Sequence, residues 1–508
     1  MSNRTRRFTA GLFSRRPSGT GVIAREALVY ALILIAHSGC AVGPKYTRPN
    51  PIPDGNVPDQ YAETNVPIST NAWKIAEPAA HLANAFCWSE FNDPELNRLE
   101  ELASHLNQDL ALAAARLDEA RAQVRISRAD YYPNITFDPS YSRERTSANG
   151  INRGGTTAGQ SYDVFNIPFQ ASWEIDLWGR VRQQVAASRA RLEASQDDLD
   201  AARLAVQSEV AVDYVTLAAL NVEFALVQRN IQAFQRSLDL TVNRRKGGIA
   251  SDLDVSQAET QLRTTEALLP NLDLQRIQLK NALAILCGKA PSQFTVSTHP
   301  LPAPLVTLGA GVPSELLERR PDIAAVERRM ASANAQIGVA QAAFYPRVTL
   351  NGLAGFQSIN AGSVFNWPSR MWAFGPNIDV PLFNGGRLRA ELALSHATYA
   401  GNVASYRQTV LTAFQEVENE LAAQRLLGTD LVAEEAALVS AQRTLAIAEN
   451  RYRAGLVTYL EVATAQALAF DHERTVVRLH AQQLTAHVTL IKALGGGWQD
   501  SAALAAKL

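Results

Sequence analysis

The sequence predicts a mainly α-helical protein with membrane-type β-strands, built as two copies of one plan. Three observations carry that prediction. The first is self-similarity: Asn243-Arg-Arg-Lys-Gly-Gly248-Ile-Ala-Ser-Asp-Leu253 aligns with Asn450-Arg-Tyr-Arg-Ala-Gly455-Leu-Val-Thr-Tyr-Leu460 at an offset of 207. The second is a pair of proline-free stretches, one starting at Gly179 and one at Gly386, with apolar residues at helical spacing. The third is a set of four short alternating segments with tryptophans near their ends.

Composition bounds the class. The chain has 508 residues, 47% apolar and 19% charged, enough to bury a sizeable core. Six arginines and one glutamate fall in the first 39 residues; the rest carries 42 basic and 48 acidic groups, a net charge of −6. A mildly acidic body argues against nucleic acid as a partner, because phosphate binding needs a basic stripe. No uninterrupted run of 18 apolar residues occurs. A transmembrane helix is therefore not expected, and any membrane crossing has to be a closed β-barrel.

Residues 1–39 read as an export signal. The apolar run Ala27-Leu-Val-Tyr-Ala-Leu-Ile-Leu-Ile-Ala36 is too short to span a bilayer but suits a secretory core. His37-Ser38-Gly39-Cys40 then has small residues before a cysteine, as in a lipoprotein cleavage box, with Cys40 the lipidated residue. His37 stands where such boxes prefer Leu, and a plain signal peptide with an incidental cysteine is the alternative. Residues 40–90 follow as an extended, lipid-anchored segment. Cys87 and Cys287 could pair in an oxidising compartment, though nothing requires it. Cys287 ends an apolar helix, where a small buried hydrophobe is expected.

The repeats span 91–290 and 313–497, joined by a linker at 291–312 and followed by a tail at 498–508. The offset of 207 also maps Gly179-Arg-Val-Arg182 onto Gly386-Arg-Leu-Arg389 and Gly288 onto Gly495. Tyr132-Pro133 matches Tyr345-Pro346 at 213. Each copy therefore runs helix, β-hairpin, very long helix, turn, helix. The long helices are expected at 179–246 and 386–453, and the helices after the turns at 252–287 and 459–494. About 68 residues at ~1.5 Å each make roughly 100 Å, too long to be buried in a compact globule. Such helices have to pack lengthwise as coiled coils.

The β-hairpins are expected at 133–176 and 346–383, with strands at 133–143, 161–176, 346–358 and 370–383. Each is near the ~10 residues a tilted membrane strand needs. A polar, Gly-rich loop, Ser147 to Thr157, joins the first pair, and the turn around Asn360 joins the second. Trp173, Trp178, Trp367 and Trp372 sit at strand ends, as an interfacial belt requires. Single-chain barrels start at about eight strands. Four strands must then pack on something else or be shared among chains of a symmetric oligomer.

Six motifs in order resemble the outer-membrane factors of the TolC superfamily, in the lipoprotein branch typified by OprM and NodT. They are Cys40-Ala-Val-Gly-Pro-Lys-Tyr-Thr-Arg-Pro49, Trp88-Ser-Glu-Phe-Asn-Asp-Pro-Glu-Leu-Asn97, Glu174-Ile-Asp-Leu-Trp-Gly-Arg180, Leu316-Leu-Glu-Arg-Arg-Pro-Asp-Ile323, Phe383-Asn-Gly-Gly-Arg387 and Lys492-Ala-Leu-Gly-Gly-Gly-Trp498. The resemblance covers nearly everything after residue 39. It implies a homotrimer with a 12-strand β-barrel in the outer membrane and a 12-helix periplasmic α-barrel. It also implies a periplasmic adaptor and an inner-membrane pump of the RND type as partners. The function implied is a passive exit duct for drugs or other small molecules.

The turns Gly248-Ile249-Ala250-Ser251 and Gly455-Leu456-Val457-Thr458 are the leading candidate site. Glycine there can adopt the left-handed helix cap. In the family these tips meet the adaptor; the plainer alternative is a turn that only reverses the chain. The resemblance places the periplasmic aperture just after the second tip, at Tyr459, Leu460, Glu461 and Thr464. Glu461 matches the first acidic position of the family's constriction, but Thr464 stands at the second and Ala467 at a basic one. A gate held by Leu460 packing and by contacts of Arg451, Tyr452 and Arg453 is therefore expected, with a merely solvated Glu461 as the alternative. Arg319-Arg320-Pro321-Asp322 reads as a helix start, and Asp176 with Trp178-Gly179-Arg180 as a strand-to-helix junction.

No phosphate loop, HExxH pair, cysteine cluster or nucleophile constellation occurs, so neither enzyme activity nor a cofactor or metal is expected. Three rival functions remain, one of them a structural coiled-coil lipoprotein with no pore, which conductance would distinguish. A periplasmic adaptor lipoprotein should carry one helical hairpin, which the duplication opposes. A type I secretion duct shares the superfamily, but the anchor and the Asp-Leu-Trp-Gly-Arg run favour small-molecule efflux.

Overall fold

A computed structural model describes residues 42–52, 57–58, 61–62, 91–145, 147, 159–297, 317 and 319–496. The signal segment, Cys40, Cys87, nearly all of the polar loop after Ser147, most of the linker and the tail lie outside the described residues. In chain order the elements are α1 (Pro94–Leu106), α2 (Gln108–Ala129), β1 (Asn134–Phe137), β2 (Ser140–Arg145), β3 (Ser161–Glu174), α3 (Arg180–Lys246), α4 (Asp252–Glu266) and α5 (Leu268–Leu286). The second copy gives α6 (Pro321–Ala342), β4 (Arg347–Ser358), β5 (Arg370–Asp379), α7 (Arg387–Arg453) and α8 (Tyr459–Ala493). The chain divides into two compact units, one containing Ser127–Val185 and Ala335–Leu394, the other Lys45–Ile126, Ala186–Asn334 and Ser395 onward.

The first unit holds an antiparallel sheet in the order β1/β2, β3, β4, β5. Five strands replace the four expected, because the first is interrupted at Asp138-Pro139. The register continues across the break: Phe137 faces Phe169 and Ser140 faces Asn166. By that register Pro168 faces Asp138 and, having no N–H, cannot return the bond that the Asp138 amide gives its carbonyl at 3.4 Å, so the ladder lapses at Asp138-Pro139. On its other side Pro168 faces Gly355, where a Cβ would lie 2.2 Å from the Ile167 carbonyl oxygen. Only glycine fits that approach. The fourth strand stops at Asp379, short of the expected 383, just before Pro381.

Side chains alternate across this sheet. Phe137, Phe169, Trp173, Leu350, Trp372 and Phe374 fall on one face by register, and Phe137 stacks on Phe169 at 4.6 Å. Thr136, Gln170, Ser172, Asn351 and Asn377 fall on the other. One face is thus largely aromatic, and the other is uncharged through its middle, where polar side chains alternate with small and apolar ones such as Leu353 and Ala373. Both outer strands keep one edge unpaired among the described residues.

The junction after β3 is tied by side chains. Glu174 accepts two hydrogen bonds from Arg180 at 2.8 Å and an ion pair from Arg347 at 2.7 Å. Asp176 caps the start of α3 by accepting the Val181 and Arg182 amides at 3.2 and 2.9 Å. Trp178 stacks on Tyr345 with centroids 4.9 Å apart and donates its indole N–H to the Pro346 carbonyl at 2.8 Å.

The second unit is helical. α3 and α7 each run 67 residues, with bounds at 180 and 387. By length and composition α3 is apolar enough to cross a membrane, although polar residues interrupt its apolar run; 56% of its most apolar window is buried inside the protein, as suits a core helix. The main core gathers Leu96 and Leu99 of α1, Val210 and Tyr214 of α3, Leu283 of α5 and Leu484 of α8. Each fully buried large side chain there contributes about 1.5–3 kcal/mol. Asp93 caps α1 through the Glu95 and Leu96 amides and accepts the Tyr214 hydroxyl at 2.6 Å. Cys287 is a free buried thiol in this core, its pKa pushed up to about 11 by burial. Gly288, which follows it, lies so close to α1 that a Cβ would sit 2.2 Å from the Leu106 carbonyl oxygen.

The helix expected over 252–287 is two helices, broken at Ala267. Pro270 is the cause: without an N–H it cannot bond the Glu266 carbonyl. α8 has no proline and runs unbroken. Arg320 is 8% exposed and held by Asp322, by Glu416 and by the Ala493 carbonyl at the end of α8, which makes that motif a structural clasp. The described part of the N-terminal segment lies on the helices: Tyr46 donates to the buried Glu327, and Ala62 donates to Glu418 at 2.8 Å.

Candidate functional site

The two helix tips lie in the second unit and end the same way. Gly248 and Gly455 have φ of 72° and 76°. Gly248 donates to the Arg245 carbonyl and Ile249 to that of Arg244, both at 2.9 Å; Gly455 and Leu456 repeat the pair on Tyr452 and Arg451. These paired bonds satisfy the last carbonyls of α3 and α7 and require the left-handed glycine. Matching apolar residues then point outward: Ile249 is 69% exposed and its counterpart Leu456 70%, Leu253 66% and its counterpart Leu460 55%.

The starts of the following helices differ. Ser251 caps α4 in a reciprocal box: its hydroxyl accepts the Asp254 amide at 3.2 Å while Asp254 accepts the Ser251 amide at 2.8 Å. At the equivalent positions Thr458 makes no side-chain cap, and Glu461 turns instead toward Arg451 at 3.9 Å. Both partners are about half exposed, so that ion pair holds little.

Leu460, Glu461 and Thr464 share an exposed face of α8, and the Thr464 hydroxyl donates to the Leu460 carbonyl at 2.8 Å. Among the described residues Leu460 belongs to no buried cluster. Tyr459 departs from the expectation. It is 1% exposed, set edge-on to Tyr452 at 5.6 Å within a cluster containing Ala258, Val462 and Ala465, so its ring cannot line an aperture. Burial pushes its phenol pKa up to about 12. Gln466 continues this buried layer, donating to Ser237 at 2.9 Å.

Arg244 is the tip residue that the sequence left unmarked. Its guanidinium donates to the Tyr452 and Arg453 carbonyls at 2.9 and 3.2 Å and stands 4.6 Å over the Tyr452 ring. It joins the first tip to the second and satisfies the end of α7. The repeat offered one signal, since Arg244 and Arg451 are equivalent. Among the described residues no group of histidine, cysteine, aspartate or glutamate could hold a metal ion.

The outer membrane efflux protein family model matches residues 99–289 and 312–496, more than half of the chain. The chain belongs to the outer membrane efflux protein family. The toluene efflux pump outer membrane protein TtgC of Pseudomonas putida is 32% identical over 484 residues, covering 94% of this chain and 97% of its own. The cation efflux system protein CusC of Escherichia coli is 32% identical over 471 residues, covering 92% and 98%. The solved outer-membrane channel OprN superimposes with a TM-score of 0.81 at 30% identity, covering 91% of this chain and 100% of its own. The two matched ranges fall one in each repeat of the chain.

Proposed function

We propose that the protein is the outer-membrane exit duct of a tripartite efflux pump, passive in itself and driven by an inner-membrane transporter of the RND type. The observation that carries this is the sheet: four strand positions, one aromatic face, one face with polar side chains that is uncharged through its middle, and two edges unpaired among the described residues. Open edges are untenable in a bilayer, where each unpaired backbone group costs several kcal/mol. Closure by copies of the same chain is the economical solution, and three copies give twelve strand positions. The polar face then lines the lumen. A neighbouring copy would also cover the apolar residues that α7 exposes at Val432, Val439 and Ile447, which recur at 7 and 8 residues on one helix face.

In this reading the repeats 91–290 and 313–497 build barrel and tunnel, and residues 40–90 tether the chain through a lipid on Cys40. The adaptor's helical hairpins meet Gly248–Ser251 and Gly455–Thr458, whose exposed Ile249 and Leu456 offer it matching apolar contacts. Leu460, Glu461 and Thr464 border the aperture; Tyr459 supports them from behind. Cargo is chosen by the pump, in keeping with relatives of equal identity that are named for toluene and for cations.

Planar-bilayer recording on the purified oligomer tests the reading. Discrete conductance steps are expected, raised severalfold in L460A and made less cation-selective in E461Q. An oligomer that inserts without any steps would sink the duct.

A further inference from the structure

The seam between β3 and β4 contains an aromatic lock whose twin lies unmade on the outside of the sheet. Trp178 stands four residues past Glu174, the end of β3; Tyr345 stands two before Arg347, the start of β4. The two rings stack, and the Trp178 indole binds the Pro346 carbonyl. The same spacing recurs at the open edges. Phe383 stands four residues past Asp379, the end of β5, and Tyr132 two before Asn134, the start of β1. Tyr132-Pro133 is the repeat counterpart of Tyr345-Pro346.

Within one chain neither ring is covered. Phe383 is 92% exposed, Leu382 beside it 92% and Tyr132 73%, against 41% for the locked Tyr345. Both segments sit at the same end of the sheet. Asn134 pairs with Ser172, two residues from the end of β3, and Asp379 pairs with Arg347, the first residue of β4. An edge pairing of β5 with the β1 of another copy would therefore bring Phe383 to Tyr132.

We infer that Phe383 of one copy docks on Tyr132-Pro133 of the next, repeating between chains the Trp178–Tyr345 lock found within the chain. This rests on the shared-barrel reading of the sheet. The occupant of the exposed Leu382-Phe383 surface is a second copy of this chain, because the exposed Tyr-Pro at the opposite edge matches the Tyr-Pro already locked inside. Phenylalanine has no N–H to give the Pro133 carbonyl, so the seam between chains relies on ring contact alone.

The double variant F383C/Y132C, extracted in mild detergent and treated with a short bis-maleimide, tests the inference beside native mass spectrometry of the same sample. Covalent dimers and trimers are expected from the double variant, and neither from F383C or Y132C alone. A trimer by mass that gives no cross-link beyond the single variants overturns the lock and leaves the shared barrel standing. A monomer by mass overturns both. Should the double variant fail to reach the membrane, F383A and Y132A carry the test. Each is expected to lower the temperature at which the trimer dissociates in SDS, with F383Y near the parent, and an unchanged temperature in both overturns the lock.

Discussion

Arg244, four residues before the glycine that ends the first long helix, holds the last carbonyls of the second, at Tyr452 and Arg453, while standing over the Tyr452 ring. The contact fixes one tip against the other. A charged donor on a carbonyl contributes about 1.5–3 kcal/mol when partly desolvated. R244A is therefore expected to loosen the second tip and not the first. Hydrogen exchange should show faster amide exchange over 450–458 in R244A and little change over 243–251. Equal loosening of both would remove the clamp from the account.

Ser251 and Thr458 occupy equivalent positions with unequal work. S251A loses a reciprocal cap and should cost about 0.5–2 kcal/mol of local stability. T458A removes no side-chain cap, so only a few tenths are expected. Thermal unfolding of the detergent-solubilised variants checks this, and a larger loss in T458A would contradict it.

Glu100 of α1 is 6% exposed, and neither of its carboxylate oxygens meets a partner among the described residues. Burial pushes its pKa up from 4.5 to about 9. The folded chain therefore keeps a proton that the unfolded chain has released, so stability falls as pH rises between those values. The slope is at most about 1.4 kcal/mol per pH unit. E100Q should flatten this dependence between pH 5 and 8 and should be the more stable form at pH 8. A parent protein whose unfolding temperature does not change over that range would contradict it.

Much of the architecture was legible because it rests on local rules. Gly248 and Gly455 marked the ends of two helices that proline never interrupts, and alternation marked the strands. The misses come from effects that periodicity smooths over or that act at a distance. Pro270 was visible, yet the apolar spacing carries across it, and α4 and α5 read as one. The first strand is broken where pairing sets Pro168 opposite Asp138, the residue before Pro139. Tyr459 was placed at the aperture by resemblance, while the spacing of Tyr459, Val462, Ala465 and Ala469 puts it on the buried face of α8. Arg244 meets Tyr452 across 208 residues, a separation no local pattern reports.

The unequal caps at Ser251 and Thr458 have a consequence for how a duplicated chain comes to act asymmetrically. Two identical hairpins would share every thermal excursion equally, and neither could serve as a fixed reference for the other. Here a change at two positions, Ser251 to Thr458 and Asp254 to Glu461, leaves the start of α4 with a reciprocal side-chain cap and the start of α8 without one. Duplication supplied two equivalent hairpins, and substitution at these two positions has made them unequal in local stability, the second resting on Tyr459 burial and on Arg244 where the first has its own cap.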